Sequence, residues 1–289
     1  MSEETFLLKS QLIELENKDS ELINQDDLVK LVDQMLDNIG SIDSQLRDNL
    51  IFPTFVRLID EELLNIEQYQ YIFDTVLDEK HLFYNIGEKN TDSVFTRSFS
   101  SLIVAAILHK DNQLGFLSEE CFNYAVCRSI SYLKSEQDTR GLVEVKGWAH
   151  SVAHGADLLV ALVRHPKFEN GHSDKILNTI HNCLFKDATY IDEEDERLVF
   201  VIEALIEKEF DQKKLGHWAE GVLSDLEYIY ANEGFSNRYF RIKFNITNFL
   251  KSLYFINGFK NEKFHLGELI NQSLKILHQK LYDGNEVRN

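Results

Sequence analysis

Proline is scarce in this chain, and its scarcity constrains the fold more than any other feature of the sequence. Only Pro53 and Pro166 occur among 289 residues, whereas proline makes up about 5% of an average protein. A β-sandwich or barrel needs many tight turns rich in Gly, Pro and Asn at short spacing, and such turns are missing here. Long helices joined by short polar turns need few of these residues. The chain is therefore predicted to be all-α.

Apolar residues recur with the 3.6-residue period of an amphipathic helix along most of the chain. In the segment 27–39, for example, Leu28, Leu31, Val32 and Met35 fall at the spacing that puts them on one helix face. The same pattern predicts helices over 5–16, 27–39, 43–60, 66–78, 93–109, 118–135, 145–165, 173–186, 194–208, 214–231, 237–256 and 266–281.

Helices of this length with short links suggest stacked antiparallel hairpins, as in an α-α superhelix of the HEAT or armadillo type, although no clean repeat of 40–47 residues is present. No Ser/Gly-rich linker divides the chain, so residues 1–289 are predicted to form a single repeat-like domain. Residues 1–20 are interpreted as a loosely attached lead-in helix. Pro53 lies inside the predicted helix 43–60, where a kink or break is expected because proline has no N–H to donate.

The chain is strongly acidic, with a formal net charge of −18 at pH 7. Residues 1–50 alone contain twelve acidic and four basic side chains. Such a surface repels the phosphates of nucleic acids and the headgroups of anionic lipids, because affinity for either depends on Lys and Arg. Nucleic acids and membranes are therefore predicted not to be partners, although a local basic groove is compatible with this charge.

The cysteines and the N-terminus favour a cytoplasmic location. Cys121, Cys127 and Cys183 are an odd number and show no CxxC spacing, which is typical of reduced thiols packed as small hydrophobic residues. The N-terminal residues lack the basic and apolar regions of a secretory signal. No window approaches 18 uninterrupted apolar residues, so no membrane span is expected.

The segment 140–166 has the least ordinary sequence, RGLVEVKGWAHSVAHGADLLVALVRHP. Treated as one helix over 145–165, it has a predicted core face, formed by Trp148, Val152, Gly155, Leu159, Leu162 and Val163. A flank of small residues follows, Ala149, Ala153 and Ala156. The polar face opposite the core carries Lys146, His150, His154, Asp157 and Arg164. Gly147 and Gly155 are costly inside a helix, which indicates that a neighbouring backbone or a ligand needs the space.

This segment also carries a family resemblance. The run Arg-Gly-x-Val-x-x-Lys-Gly-Trp-Ala-His-x-x-Ala-His-Gly-Ala-Asp-Leu-Leu over 140–159, followed by Arg164-His165-Pro166, resembles the signature of a bacterial family known only as domain-of-unknown-function family 2785. Looser similarity extends to Phe-Thr-Arg-Ser-Phe-Ser at 95–100 and to Phe52-Pro53-Thr54. The resemblance implies a helical bacterial protein of one domain. It implies no activity, substrate or cofactor.

Two enzymatic hypotheses arise from the polar face. His150 and His154 have the i, i+4 spacing that allows two imidazoles to bind one metal ion, with Asp157 as a third ligand or as a partner of a histidine. Ser151 stands where a zincin has its glutamate, so the zincin motif is incomplete. Alternatively, a histidine beside a carboxylate, near Lys146, is a candidate acid–base pair. The plainer interpretation is that both histidines bind the backbone or carboxylates of an adjacent helix.

Ligand binding is the main prediction. In stacked hairpins the inner helices line a concave groove, and the polar face of 145–165 is expected to lie there, with Arg97 and Arg238 adding positive charge. A structural role for both arginines is the alternative, and both tryptophans are expected in the core. The candidate binding residues are Arg97, Arg140, Lys146, Trp148, His150, His154, Asp157 and Arg238. The expected partner is a protein, a peptide or a small anionic ligand, and neither metal nor cofactor is assigned.

Overall fold

A computed structural model of the protein describes residues 3–16, 25–259 and 266–282. The chain divides into two compact units, residues 1–168 and residues 169–289. Each unit has its own helices and its own buried apolar residues, and each is described by itself below. The single-domain organisation inferred from the lack of a linker stays a prediction.

The first unit is built around two helices, α6 and α8, which pack against each other along their lengths. Its elements are α1 (Glu3–Glu16), α2 (Gln25–Asp37), α3 (Ser44–Leu46), a π-helical turn (Arg47–Ile51), α4 (Phe52–Asp60), α5 (Ile66–Val76), α6 (Ser93–Leu114), α7 (Glu119–Ser135), β1 (Leu142–Val143), β2 (Gly147–Trp148) and α8 (Ser151–Arg164). Helices α4 and α5 pack on α6, and α7 packs on α8. Helix α6 is buried on several sides, which suits a central position.

The second unit is built around its longest helix, α12, which contacts the other four helices. Its elements are a short 3₁₀ helix (Asn170–His172), α9 (Ser173–Leu184), α10 (Glu194–Glu207), α11 (Gln212–Glu233), α12 (Asn237–Phe259) and α13 (Gly267–Tyr282). The all-α prediction is confirmed, since β1 and β2 form a two-stranded hairpin and are the one sheet in the described part of the chain. A HEAT-like superhelix stays a prediction. Within the described ranges, no helix has the length and apolarity that crossing a bilayer requires.

Several helix ends are set by local side chains. Asn65 accepts a hydrogen bond from the backbone N–H of Gln68, whose side chain accepts one in return, so α5 begins with a capping box. Ser118 caps α7 by accepting a hydrogen bond from the backbone N–H of Cys121. Helix α6 ends at Gly115, whose φ of 68° lies in the left-handed region that glycine adopts without strain.

The irregularity expected near Pro53 is present as the π-helical turn Arg47–Ile51, which lies immediately before α4. Proline has no N–H to donate to the carbonyl four residues before it, so the regular α-helical ladder is interrupted there. One continuous helical segment therefore runs from Ser44 to Asp60 with one wide turn. Such turns are frequent at functional sites.

The described part of the predicted lead-in helix is α1, which buries Leu8, Leu12 and Leu15. Arg57 also donates a 2.6 Å hydrogen bond to the carbonyl oxygen of Leu15. Residues 1, 2 and 17–20 of the predicted lead-in lie outside the described residues.

The prediction of one helix over 145–165 is wrong in its first third. Helix α8 begins at Ser151, and the residues before it form the β1–β2 hairpin. Val145, Gly147 and His150 have φ values of 66°, 78° and 47°, all in the left-handed region. Backbone hydrogen bonds from Ala149 to Gly141 and from His150 to Arg140, both 2.9 Å, extend the pairing of the two strands. The helical interpretation therefore holds only from Ser151 onward.

Candidate functional site

The candidate site is organised by Arg47, a fully buried cation that the sequence analysis missed. Its guanidinium donates hydrogen bonds to the carbonyl oxygens of Ser41 (2.5 Å) and Lys146 (2.6 Å). It forms an ion pair with Asp48 at 2.7 Å. Burial lowers the pKa of Arg47 and raises the pKa of Asp48, and in each case the ion pair opposes the effect of burial. Arg47 therefore fixes the hairpin from the inside of the protein.

The guanidinium of Arg47 also lies over two aromatic rings of α6. Its central carbon is 4.1 Å from the ring centre of Phe95 and 4.9 Å from that of Phe99. These cation–π contacts sit in a desolvated position, where they are strongest. Since the hairpin carbonyls and α6 share this one cation, the hairpin is bound to the centre of the unit.

The tip of the hairpin is both exposed and strained. The backbone N–H of Lys146 donates to the carbonyl of Val143 at 3.1 Å, which closes a turn. Val145, the third residue of this turn, has a φ of 66° and is 91% exposed. A turn with positive φ at its third residue normally has Gly or Asn there. A β-branched residue in this conformation costs on the order of 1–3 kcal/mol.

Both unusual glycines of the segment are explained by close packing inside the protein. A Cβ atom added at Gly147 would lie 2.5 Å from Oδ2 of Asp48, so only glycine allows the hairpin to approach the π-helical turn this closely. A Cβ atom added at Gly155 would lie 2.5 Å from Cδ2 of Leu133 on α7. The space that the sequence analysis assigned to a neighbour or a ligand is therefore filled by side chains of this chain.

A row of aromatic rings runs from the hairpin into the unit. Trp148 stacks on His150, with ring centres 4.3 Å apart and an interplanar angle of 24°. The ring of His154 meets His150 edge-on at 5.6 Å and Phe99 edge-on at 5.4 Å. Trp148 is 39% exposed, so the prediction that it lies in the core is wrong. It is exposed because it belongs to the hairpin and not to the apolar face of a helix.

His154 is held by a serine of α6. Its Nδ1 lies 2.7 Å from Oγ of Ser98, which is fully buried. His154 and Asp157 are both half-buried on α8. Within residues 3–16, 25–259 and 266–282, no group of three or more His, Cys, Asp or Glu side chains has the arrangement of a metal site. His150, His154 and Asp157 therefore do not form a set of three metal ligands.

The two cations of the hairpin region are paired with carboxylates. Nζ of Lys146 lies 2.7 Å and 2.8 Å from the two carboxylate oxygens of Asp92, at the start of α6. Arg140 pairs with Asp138 at 2.6 Å and also donates to the carbonyl of Thr91 at 2.6 Å. The contacts of Lys146 with Asp92 and of Arg140 with Thr91 join the hairpin region to the residues that precede α6.

Two further predicted residues, Arg97 and Arg238, form ion pairs of their own. Arg97 is fully buried, and its guanidinium forms two hydrogen bonds to Glu136, at 2.6 Å and 2.8 Å, and one to Ser93 at 2.8 Å. It contributes no charge to the exposed surface. Arg238 belongs to the second unit, where it pairs with Glu233 at 2.5 Å.

A cavity of about 540 Å³ opens beside the candidate site. Its wall includes Ser41, which binds Arg47, and Asp92, which binds Lys146. The rest of the lining is mostly polar and includes Asn38, Lys80, His81, Tyr84, Asn85, Glu88, Ser93 and Thr96. A polar cavity of this volume is within the size range of small-molecule sites.

Residues 82–255 match the model of the family described as Protein of unknown function (DUF2785). The chain belongs to the DUF2785 family. The matched range contains the hairpin, α6, α8 and most of the second unit, but not Arg47. No curated protein and no solved structure matches the chain.

The sequence stretches that indicated DUF2785 converge in space. Phe52, from the upstream stretch, meets Phe99 edge-on with ring centres 6.1 Å apart. Phe99 in turn contacts His154 from the main motif. These three stretches, of which 52–54 lies outside the matched range, therefore meet at one place in the first unit.

Proposed function

We propose that this DUF2785 member is a binding protein whose binding surface, here called the hairpin surface, consists of Leu142, Val145, Trp148, His150 and His154. The observation that carries the proposal is Val145. A β-branched residue with positive φ at a 91% exposed turn contributes no core packing that would offset its strain. Strain of this kind clusters at sites of ligand binding, and asparagine or glycine would remove it.

The other exposed residues of the hairpin surface support the same conclusion. Leu142 is 58% exposed and pairs across the two strands with Trp148. Together with Val145 they form an apolar edge on an acidic protein, and tryptophan is the residue type most enriched among those that dominate binding energy. The surface therefore suits a protein or peptide segment that offers an apolar side chain.

The rigidity of the hairpin is the third argument for a binding function. The hairpin is fixed by Arg47 through the carbonyl oxygens of Lys146 and Trp148, at 2.6 Å and 3.4 Å. Trp148 is further restrained by its stacking on His150. A surface that is ordered before binding loses less conformational entropy when the partner arrives. A polar residue of the partner has room in the adjacent cavity, beside Asp92 and Lys146.

A HEAT-type arrangement of the helices and a cytoplasmic location are part of the same proposal. Cys121, Cys127 and Cys183 are free thiols, as in proteins from reducing compartments. In helical-repeat proteins an extended surface recognises segments of other proteins. The first partner class to search is therefore cytoplasmic proteins.

Affinity capture from a cytoplasmic extract tests the proposal. The full chain is immobilised in four forms: wild type, Trp148→Ala, Val145→Asp and Tyr124→Ala. Tyr124 is an exposed aromatic residue of α7 that is 54% exposed and lies outside the hairpin surface, so it is the matched control. We expect at least one protein that wild type and Tyr124→Ala capture and that the two hairpin variants lose. Identical captured sets for all four forms would contradict the proposal.

An acid–base enzyme that uses His150, His154 and Asp157 is the second proposal, and in its metal-dependent form only His150 and His154 would supply ligands from this site. The contact between Ser98 and His154 supports it, because a histidine oriented by a hydrogen bond is typical of general acid–base sites. Elemental analysis of purified protein, with a chelator-treated control, tests the metal-dependent form. Near-stoichiometric metal that is lost in His150→Ala would favour it over binding alone.

A further inference from the structure

Helix α12 in the second unit differs from the rest of the chain in its charge. The whole chain has 48 acidic and 30 basic side chains. Residues Asn237–Phe259, by contrast, contain no Asp or Glu and include Arg238, Arg241, Lys243 and Lys251. One helix of an acidic protein is therefore locally basic.

The same helix has an exposed aromatic face, here called the α12 face. It consists of four phenylalanines on one side of the helix. They are Phe240, Phe244, Phe255 and Phe259, which are 44%, 43%, 57% and 78% exposed. Together they expose on the order of 400 Å² of ring surface. Phe240 and Phe244 form one pair and Phe255 and Phe259 form a second pair further along the helix, with Lys251 between the two pairs.

The α12 face is not needed for the core of its own unit. The opposite side of the helix is already buried, through Ile242, Ile246, Phe249 and Leu253. The four phenylalanines on the solvent side therefore keep between 43% and 78% of their surface exposed while the core is formed by the opposite side.

Two lysines flank these rings without a carboxylate partner. Arg238 and Arg241 are paired with Glu233 (2.5 Å) and Asp187 (3.0 Å). Lys243 and Lys251 have no ion pair with any residue in the described part of the chain. Lys243 is half-buried, and its pKa is lowered by burial and then by the charge of Lys251. A carboxylate brought to this place would offset the repulsion between the two lysines.

We propose that the α12 face binds an acidic amphipathic helix of a partner protein. The apolar residues of that helix pack on Phe240, Phe244, Phe255 and Phe259, as in other cases where a helix lies along a hydrophobic surface. Its carboxylates pair with Lys243 and Lys251. The charge complementarity sets the orientation of the partner and speeds its association.

The charge of the chain favours a peptide over other anionic partners. Two unpaired lysines are few for a nucleic acid, because that affinity grows with the number of phosphates neutralised. A flat anionic membrane would also bring the acidic remainder of a protein with net charge −18 close to its own negative surface. A partner helix, by contrast, can carry its carboxylates only at the positions that meet Lys243 and Lys251.

Fluorescence anisotropy of the full chain with defined probes tests the proposal. The first probe is a labelled 18-residue helical peptide with Leu on one face and Glu on the other, and the second has Lys in place of Glu. We expect the acidic probe to bind at least tenfold more tightly than the basic one. Raising NaCl from 50 to 500 mM should weaken that binding severalfold.

Variants locate the site. Phe255→Ala should weaken binding of the acidic probe at least tenfold, and Lys251→Glu about tenfold. Lys213→Glu is the matched control, because Lys213 is an exposed lysine of α11 outside the α12 face, and it should change affinity less than twofold. Circular dichroism confirms that each variant is folded.

Three results would overturn the proposal. The first is equal or absent binding of the two peptides. The second is tighter binding to phosphatidylserine vesicles or to single-stranded DNA, which would assign the α12 face to a membrane or a nucleic acid. The third is concentration-dependent self-association that Phe255→Ala abolishes, which would assign it to a second copy of the chain. None of these results bears on the hairpin surface.

Discussion

The guanidinium of Arg47 donates a 2.6 Å hydrogen bond to the backbone carbonyl of Lys146, which lies 99 residues further along the chain. Because Arg47 is fully buried, this contact joins the π-helical turn to the hairpin from inside the protein. It also explains why residues 142–148 are not helical. The carbonyls of Lys146 and Trp148 accept hydrogen bonds from Arg47. In a helix they would instead accept hydrogen bonds from backbone N–H groups of the next turn.

Replacing Arg47 should be among the most destabilising single changes in the first unit. Arg47→Met leaves the carboxylate of Asp48 half-buried without its partner and frees two hairpin carbonyls. We expect a loss of about 3–5 kcal/mol in the free energy of unfolding, as for other broken buried ion pairs. Urea denaturation measures it. The double variant Arg47→Met/Asp48→Asn should recover part of the loss, and a loss below about 1 kcal/mol would contradict the role given to Arg47.

Val145 should show opposite effects on stability and binding. Val145→Asn places a residue that tolerates positive φ at the strained turn, so we expect the protein to become about 1 kcal/mol more stable. The same change should weaken capture of the partner. Thermal denaturation measures the first effect. Glu144→Asn, at the adjacent turn position without positive φ, is the control and should not stabilise the protein.

Glu194 should make the second unit less stable as the pH rises. Glu194 is 2% exposed, and burial raises its pKa from 4.5 to about 7. Between these values the folded state holds more protons than the unfolded state, so stability falls from pH 4.5 to 7 and then levels off. Since one pKa unit corresponds to about 1.36 kcal/mol, the full effect is at most about 3 kcal/mol.

Glu194→Gln should remove most of this pH dependence. The variant should match wild type near pH 4 and be the more stable protein at pH 8, by up to about 3 kcal/mol. Urea denaturation across pH 4–9 measures the difference. Glu220→Gln is the control, because Glu220 is an exposed carboxylate of α11 in the same unit. A Glu194→Gln variant that follows the wild-type curve would refute this account of the pH dependence.

Two histidines of the family motif, His165 and His150, should contribute differently to the free energy of unfolding. Nε2 of His165 lies 2.9 Å from Oδ2 of Asp111, both side chains are buried, and Phe122 stacks on the ring at 4.6 Å. His165→Ala should therefore cost about 2–4 kcal/mol. His150 is half-buried at the edge of the hairpin surface, so His150→Ala should cost less than about 1 kcal/mol. Equal losses on urea denaturation would mean that His150 is also structural.

Most helices were predictable because their signal is local. Apolar residues at helical spacing, with caps such as Ser118, place the elements within a few residues. The hairpin was missed because Leu142, Val145, Trp148 and Val152 follow the same helical spacing. Long-range contacts decide between the two, and they cannot be read from local spacing.

The charged residues show the same limit. Arg97 was expected to add positive charge to the binding surface, but it is buried against Glu136, 39 residues further along the chain. His150 and His154 were predicted to lie together from their i, i+4 spacing. Their rings are in contact in the structure, although only His154 lies within α8. Residue types suggested the candidates for the site, and tertiary contacts determine which of those side chains are exposed.

Hydrogen–deuterium exchange of the full chain, with and without the protein captured through Trp148, tests the hairpin surface most directly. Peptides covering residues 141–150 should exchange more slowly when the partner is bound, with the largest change at the exposed turn that contains Val145. Peptides from α7 around Tyr124 should not change. Unchanged exchange over 141–150, with protection elsewhere in the chain, would contradict the claim that this hairpin is the binding surface.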